Sequence, residues 1–439
     1  MNSMMKANAE MLAVALAQRL AARGIHYGWI MVVLTFLYVI CSSAVMSIPG
    51  VLLRPISEEF SWSVGELSGP LGLRMALFGV IAPFAGALIL RYGPRAVLSG
   101  SAFLLIVGIA LAMAMTTKWQ LWLSLGIILG VAPGMTALVL SATIATRWFS
   151  LHRGLVLGVL SAGSATGQLV FLPPAAWLTE QYGWRMALAP SAIMVGLVAL
   201  AFFLFSSDHP ADLGLPPYGE DTVLVNPPMP AGNAVTLSFQ ALRVASSTMV
   251  FWVLTFTFMV CGLSSFGLMP HFVTLCGDFG ISPLISTSLI ALIGVCDLIG
   301  TIGSGWLSDR YDNRWLLGVY YLFRGLSLIW LPYSGFSLIG LSGFAIFYGL
   351  DFVATIPPTV RLTARKFGRE QAPLVFGWMF AAHQFASGVM AMAAGEARDV
   401  YASYLPAFLA AGVICIAGAA SLLLLRGRAG PAALATSPA

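Results

Sequence analysis

Charge is what this 439-residue chain has least of: Asp, Glu, Lys and Arg together make up 9 % of it, where soluble domains carry about a quarter. So few ionised groups cannot keep a soluble surface wet. The 59 % of hydrophobic residues and mean hydropathy of +0.89 exceed what a soluble core can absorb, so the solvent is lipid. Cysteine is nearly as sparse. Cys41, Cys261, Cys276, Cys296 and Cys415 stand singly in or beside apolar runs, without metal-ligand spacing or a framework of pairs, and read as small packing residues. Walker sequences, dinucleotide glycine fingerprints, metal clusters and nucleophile elbows are missing too, so ATP-driven transport and catalysis lack their parts and no cofactor or metal is implied.

What is present is apolar sequence in span-length units. Crossing about 30 Å of hydrocarbon at 1.5 Å per residue takes roughly 20 residues. Such windows predict an all-α membrane protein of twelve helices, near 27–53, 65–90, 97–116, 119–145, 154–178, 185–206, 247–273, 283–308, 315–333, 337–361, 373–395 and 404–425. The stretch before the first span, "MLAVALAQRLAARG", holds only a seven-residue apolar run and its own Arg19 and Arg23. It reads as an amphipathic cytoplasmic arm over 1–26 rather than a cleaved signal peptide.

The basic residues orient this topology. With the N-terminus inside, sixteen of the 22 Lys and Arg fall on the cytoplasmic side, four outside (Arg54, Lys118, Arg185, Arg398) and two within spans (Arg74, Arg324). The acids divide almost evenly, so the bias belongs to the basic residues, as the positive-inside rule requires. Both termini are expected in the cytoplasm, and the net charge of +5 reads as topology, not as a nucleic-acid footprint.

A Pro- and Gly-rich acidic stretch, "SSDHPADLGLPPYGEDTVLVNPPMPAGNAV", cannot form a continuous helix and separates two six-helix bundles. The expected division is a bundle over 27–206, a cytoplasmic linker over 207–246, a second bundle over 247–426 and a cytoplasmic tail over 427–439. Between the second and third span of each half lies a charged loop, "GALILRYGPR" (86–95) and "GSGWLSDRYDNR" (303–314). Aligning Gly86 with Gly305, Arg91 with Arg310 and Arg95 with Arg314 sets a repeat offset of 219 residues.

"GWLSDRYDNR" resembles the G-x-x-x-D-R-x-G-R-R loop of the major facilitator superfamily, and the weaker copy, the twelve spans and the central linker extend the resemblance over nearly the whole chain. In that family the loop's Asp and Arg latch the cytoplasmic ends of neighbouring helices while the halves rock. The resemblance therefore gives Gly86, Arg91, Arg95, Gly305, Asp309, Arg310 and Arg314 a gating role. The first copy has Leu90 where the family has Asp, and the second has Asp312 and Asn313 in place of Gly and Arg. Three further stretches, "HYGWIMVV" (26–33), "EEFSWSVGELS" (58–68) and "RWFSLHRGLVLGVLSAGSATGQ" (147–168), the last followed by "YGWRMA" (182–187), look like the monocarboxylate transporter and oxalate/formate antiporter branch. That branch implies carriage of small carboxylates, often with a proton. Its eighth-span Arg, four residues after an Asp, corresponds here to Thr301 after Asp297, and the first span has no Lys.

Ionisable groups inside spans cost about 3 kcal/mol or more and are the default functional candidates. Helical rise puts Arg324 and Asp351 at one depth, roughly 15 Å from the cytoplasmic anchors, and Asp297 about 20 Å in, with Thr301 and Gly305 on its face. The residues expected to bind substrate are Arg74, Thr301, His383, Gln384 and Arg324; those expected to couple a proton are Asp297 and Asp351. Arg324 with Asp351 also reads as a structural brace, Arg74 as a cap on neighbouring carbonyls, His383 as a packing residue, and His271 as interfacial. Pro49, Pro133, Pro173, Pro174, Pro357 and Pro358 read as kinks. The expectation is a secondary carrier of a small organic anion, a monocarboxylate, moved with a proton by alternating access. It would be a monomer in the plasma (inner) membrane, its partners being substrate, proton and lipid bilayer, with no nucleic acid. An efflux carrier of a neutral or amphipathic compound, or a non-transporting receptor on the same fold, are the alternatives.

Overall fold

The computed structural model describes residues 3–62, 64–223 and 233–425. The expected tail over 427–439 and Arg426 just before it lie outside these residues. Among them the chain is helical, and its one extended pairing is an isolated parallel bridge between Phe149 and Tyr218. Ten stretches are long and apolar enough to cross a membrane. One of these, 69–113, is two spans, because Gly93 takes φ 81° and Pro94 follows it. A side chain at Gly93 would face both that left-handed backbone and the Asp208 carboxylate, which is why glycine stands at this turn. With the 30-residue helix Arg153–Tyr182, the expected twelve are reached.

The first half comprises Gly28–Ser47, 64–92, 94–113, Lys118–Trp148, Arg153–Tyr182 and Trp184–Phe205. Its counterpart comprises Met249–Asp278, Pro283–Arg310, Asn313–Trp330, Leu338–Phe367, Ala372–Tyr401 and Leu405–Ser421. Several expected spans are not continuous helices. The first ends at Ser47, and Pro49–Phe60 is a helix of its own. The fourth holds a π-helical segment, Trp122–Ile128, and a turn at 135–136 after Pro133. The seventh breaks at 265–268 and the tenth at 352–355, just before Pro357 and Pro358 in the first turn of Ile356–Phe367. Pro173 and Pro174, in contrast, lie inside a continuous helix. The breaks repeat with the 219-residue offset: first with seventh, fourth with tenth. A helix broken at membrane depth must find other partners for the freed backbone groups, and the partners found here lead to the functional site.

The halves meet along two crossings that exchange partners. Gly86 of the second span faces the eleventh, where an added Cβ would lie 2.9 Å from the Pro373 carbonyl; Gly305 of the eighth faces the fifth, 3.0 Å from the Gly158 Cα. At both places backbone touches backbone, which only glycine permits. The chain before the first span, expected as an arm, is the helix Ser3–Ala21, whose Ala13 and Ala17 are buried beside the sixth span.

The expected linker also holds a helix. Its last stretch is a helix, Ala234–Ser246, because after the Gly- and Pro-rich segment Asn233 accepts from the Thr236 amide at 2.7 Å as a side-chain cap. This helix straddles the halves: Ser238 Oγ donates to the Pro83 carbonyl at 3.0 Å, Trp378 Nε1 donates to the Ser238 carbonyl at 2.9 Å, and the Phe239 ring packs against both Phe84 and Trp378. Earlier linker residues are also seated. The Tyr218 amide donates to the Trp148 carbonyl, and the Ser150 and Leu151 amides donate to the Tyr218 carbonyl.

Candidate functional site

Each crossing closes the end of the protein that carries the loop motifs. Asp309 is the principal contact: its carboxylate accepts from the Gly154 and Leu155 amides at 2.8 and 2.9 Å, the first turn of the fifth span, and also pairs with Arg361. It thus caps a helix of the other half, where the aligned amides favour negative charge. Arg310, Arg314 and Arg95 make contacts within their own halves. Arg310 lies over the Trp306 ring at 3.8 Å, and Arg314 donates to the Leu425 carbonyl. Arg91 lies over Tyr92, and Arg95 binds Ser206 and, through its amide, Asp208 at 3.1 Å. Two contacts that the motif did not announce join the halves beside Asp309: Arg369 donates to Ser150 Oγ at 2.8 Å and pairs with Glu220 of the linker at 2.6 Å, and Arg147 lies 3.9 Å from Glu370. Their signal in the sequence is only a cluster of charge in loops.

Deeper in, the second span meets the eleventh at Gly79, against the Gln384 side chain, and Phe78 packs edge-on against Phe380 with ring centroids 5.4 Å apart. Immediately beyond this contact opens a small pocket. It is lined by Tyr38, Val39, Ser42, Ser43, Met46, Phe78, Thr136, Leu138 and Ser164; the Tyr38 hydroxyl bonds Ser101 Oγ at 2.6 Å and Thr136 Oγ1 donates to the Pro133 carbonyl at 3.2 Å, so the open lining is mostly apolar. His383 stacks on Phe380 and bonds Gln384 Oε1 through Nδ1 at 2.9 Å, so these two site candidates sit behind the Phe78–Phe380 contact and do not line the pocket.

The ionisable candidates of the second half gather at the break in the tenth span. Arg324, with no exposed surface, binds Asp351 Oδ2 through Nε at 2.8 Å, donates to the carbonyls of Asp351 and Phe352, the latter at 3.0 Å, and reaches Ser264 Oγ at 3.3 Å. It therefore satisfies the carbonyls that the break leaves without helical partners. On the other edge of the break, the Val353 amide donates to Asp297 Oδ1 at 3.0 Å, and Thr301 Oγ1 donates to the same oxygen at 2.9 Å. Both donors to Asp297 are neutral. Thr301 is fully buried, its hydroxyl used on Asp297 and its carbonyl only 2.6 Å from where a Cβ on Gly158 would stand. Neither Thr301 nor Arg324 is open to a ligand here, a correction to the expected binding set whose physical cause is this break and this crossing.

Arg74 is different. It is 7 % exposed, and its Nε and Nη1 have no hydrogen-bond partner. The repeat adds a relation that depth alone does not give: Asp297 and His383 correspond, at the 219-residue offset, to the pocket-lining Phe78 and Ser164.

Comparison with known proteins agrees with this architecture. The family model described as Major Facilitator Superfamily matches residues 34–350 and 254–439. The chain is 27 % identical over 408 residues to monocarboxylate transporter 13 of Bos taurus, covering 91 % of this chain and 89 % of that one. It is 23 % identical over 388 residues to the uncharacterized MFS-type transporter YcxA of Bacillus subtilis (strain 168), covering 86 % and 90 %. Its fold matches the proton:xylose symporter XylE bound to 6-bromo-6-deoxy-D-glucose with a TM-score of 0.71 at 15 % identity (91 % and 95 % covered), and FucP in the outward conformation with 0.70 at 15 % (92 % and 100 %). Twelve spans in two repeated halves, the glycine crossings between them and a family match over most of the length lead to one conclusion: the chain belongs to the major facilitator superfamily and is a membrane transporter, not an enzyme.

Proposed function

We propose that the protein is a proton-linked secondary carrier of a small organic anion, working by alternating access, with its motif end in the cytoplasm and closed here. The observation that carries this reading is the contrast between the two buried carboxylates. Asp351 is clamped by a guanidinium and would have to break an ion pair to take up a proton, which costs several kcal/mol once both groups are out of water. Asp297 is 3 % exposed and held by a hydroxyl and an amide alone, so it can gain and lose a proton without stranding a buried cation. Asp297 is therefore the coupling residue and Asp351 the brace. Anion transport is supported by the relatives named as monocarboxylate transporters.

In this scheme the substrate enters the pocket above Phe78 and Phe380 while Asp309, Arg369 and the linker helix hold the cytoplasmic side shut. A proton on Asp297 makes the loaded protein closer to neutral there, and the halves rock to expose the pocket inward. The test uses proteoliposomes and labelled organic anions, with and without a pH gradient. Asp297→Asn should abolish gradient-driven accumulation while sparing exchange at equal pH, and Asp351→Asn should chiefly lower folded yield. Accumulation by Asp297→Asn against the substrate gradient would overturn the assignment and move attention to His383. Orientation is checked separately: a cysteine at exposed Leu151 should label only from the cytoplasm, and one at exposed Tyr333 only from outside.

A further inference from the structure

We propose that Arg310 of the second loop motif, seated on Trp306 where the eighth span leaves the bilayer, binds the phosphate of an anionic phospholipid in the leaflet at the motif end. The motif resemblance gives Arg310 a gating role, yet it lies on the face of its helix that turns away from the crossing.

The eighth span has two opposite faces. Asp297, Thr301, Ser304 and Gly305 lie on the one that packs against the fifth and tenth spans. On the other, Val295, Ile299, Ile302 and Trp306 succeed one another at helical spacing, all of them exposed and all apolar. In a membrane protein such a stripe faces acyl chains. Arg310 is its next member, four residues beyond Trp306 and the last residue of the helix, where the unpaired carbonyls favour a cation. The ninth span starts in the same way, with Trp315, Val319 and Leu322 exposed along one face. Tryptophan on both flanks of a terminal arginine marks the depth of the lipid headgroups.

Arg310 has its donors open there. Its Cζ lies 3.8 Å from the centroid of the Trp306 ring, and this contact engages the face of the guanidinium while its N–H edge has no partner among the described residues. The neighbouring acids are spent elsewhere. Asp309 serves the Gly154 and Leu155 amides and Arg361, and Asp312 accepts from the Arg314 amide at 2.9 Å as the cap of the ninth span. Arg314 itself donates to the Leu425 carbonyl. A guanidinium held in place by a ring, with its edge free at headgroup depth, suits a phosphate that can accept two of its N–H groups at once. Because no acid of the protein neutralises Arg310, a headgroup of net negative charge is favoured over one that carries its own cation.

The repeat supplies a comparison within the same molecule. Arg91 stands at the equivalent position, but Ala87 and Ala96 replace Trp306 and Trp315. The ring platform belongs to the second copy alone.

The experiment is native mass spectrometry of the delipidated full-length protein, titrated with phosphatidylglycerol or with phosphatidylcholine of the same acyl chains. The first phosphatidylglycerol should bind wild type about tenfold more tightly than the first phosphatidylcholine. Arg310→Gln should abolish this preference. Arg310→Lys should keep part of it, because ammonium retains the charge without the two-pronged grip, and Trp306→Leu should weaken it by loosening the seat. Arg91→Gln should match wild type. Thermal unfolding midpoints in detergent show that each variant is folded before its affinity is compared. A preference that survives in Arg310→Gln, or falls equally in Arg91→Gln, would overturn the seat and leave only a general attraction of basic loops. Displacement of the lipid by an equal concentration of sn-glycerol 3-phosphate, which has the phosphate without the acyl chains, would overturn the lipid as its occupant.

Discussion

The two crossings at the motif end are built on one plan and finished differently. Gly86 on Pro373 and Gly305 on Gly154 and Gly158 both bring backbones into contact, yet only the second crossing carries an acid at the motif position. The repeat explains the pairing of losses. Asp309 corresponds to Leu90, and Gly154, whose amide Asp309 accepts, corresponds to Pro373. Proline has no amide to give, so in the first crossing the acceptor and one of its donors are both gone. The eleventh span accordingly starts without any side-chain cap, and Leu90 packs instead against apolar neighbours. Sterics closes both crossings; a motif acid capping the partner helix closes only one.

The largest effect should come from breaking what they share. Gly305→Leu or Gly86→Leu puts a side chain into backbone, which cannot yield, and each should abolish closure and transport alike. Distances between spin labels at exposed Leu151 and Tyr311 should lose the short population in Gly305→Leu. An unchanged distribution would show that the crossing tolerates separation. Next is the difference itself. Removing a charged acceptor from two amides is worth about 2 kcal/mol, so Asp309→Ala should raise the open-to-closed ratio roughly thirtyfold, whereas Leu90→Ala should leave it within about a factor of two. Equal effects at the two positions would refute the asymmetry.

A smaller effect tests the paired loss. Leu90→Asp alone finds too few amides and should not strengthen closure, but Leu90→Asp with Pro373→Gly should gain about 1 kcal/mol, some fivefold, read between labels at Tyr92 and Arg365. A gain from Leu90→Asp alone would show that the amide of Pro373's position is not needed. The smallest effect concerns pH and only the first copy, whose acid, Asp208, is supplied from beyond the sixth span and lies next to His209. Burial, with the Arg147 charge, pushes the His209 pKa down to about 4 from an ordinary 6.5. Because the folded value is the lower one, His209 contributes stability that is complete above about 6.5 and is lost as pH falls toward 4. Thermal stability in detergent should decline over that window in wild type and decline less in His209→Asn.

Much of this plan is legible in the sequence, because lipid imposes length, hydropathy and charge bias on every span. The twelve spans, the halves and the 219-residue repeat follow from that alone, and the depth count for Arg324 and Asp351 ends in a 2.8 Å ion pair. The breaks in the seventh and tenth spans are not legible in hydropathy, since a turn at membrane depth uses the same apolar residues as a helix. The partners they create are hidden with them: helical spacing leaves Asp297 without a basic partner, and its bond to the Val353 amide depends on a turn 56 residues away. Asp309 is named by its motif, but its choice of the fifth span's amides, 154 and 155 residues distant, depends on how the halves dock.

The helix Ala234–Ser246 bears on how fast the halves find each other again. Ser238 and Phe239 hold Pro83 and Phe84 on one side and Trp378 on the other, so when the crossings separate, one set of contacts can persist and the helix stays on one half. Reclosure is then an encounter between tethered surfaces, at an effective concentration of the order of millimolar for a short connection, rather than a free search. A chain cut between the two halves would lose this advantage, so they would assemble but cycle slowly.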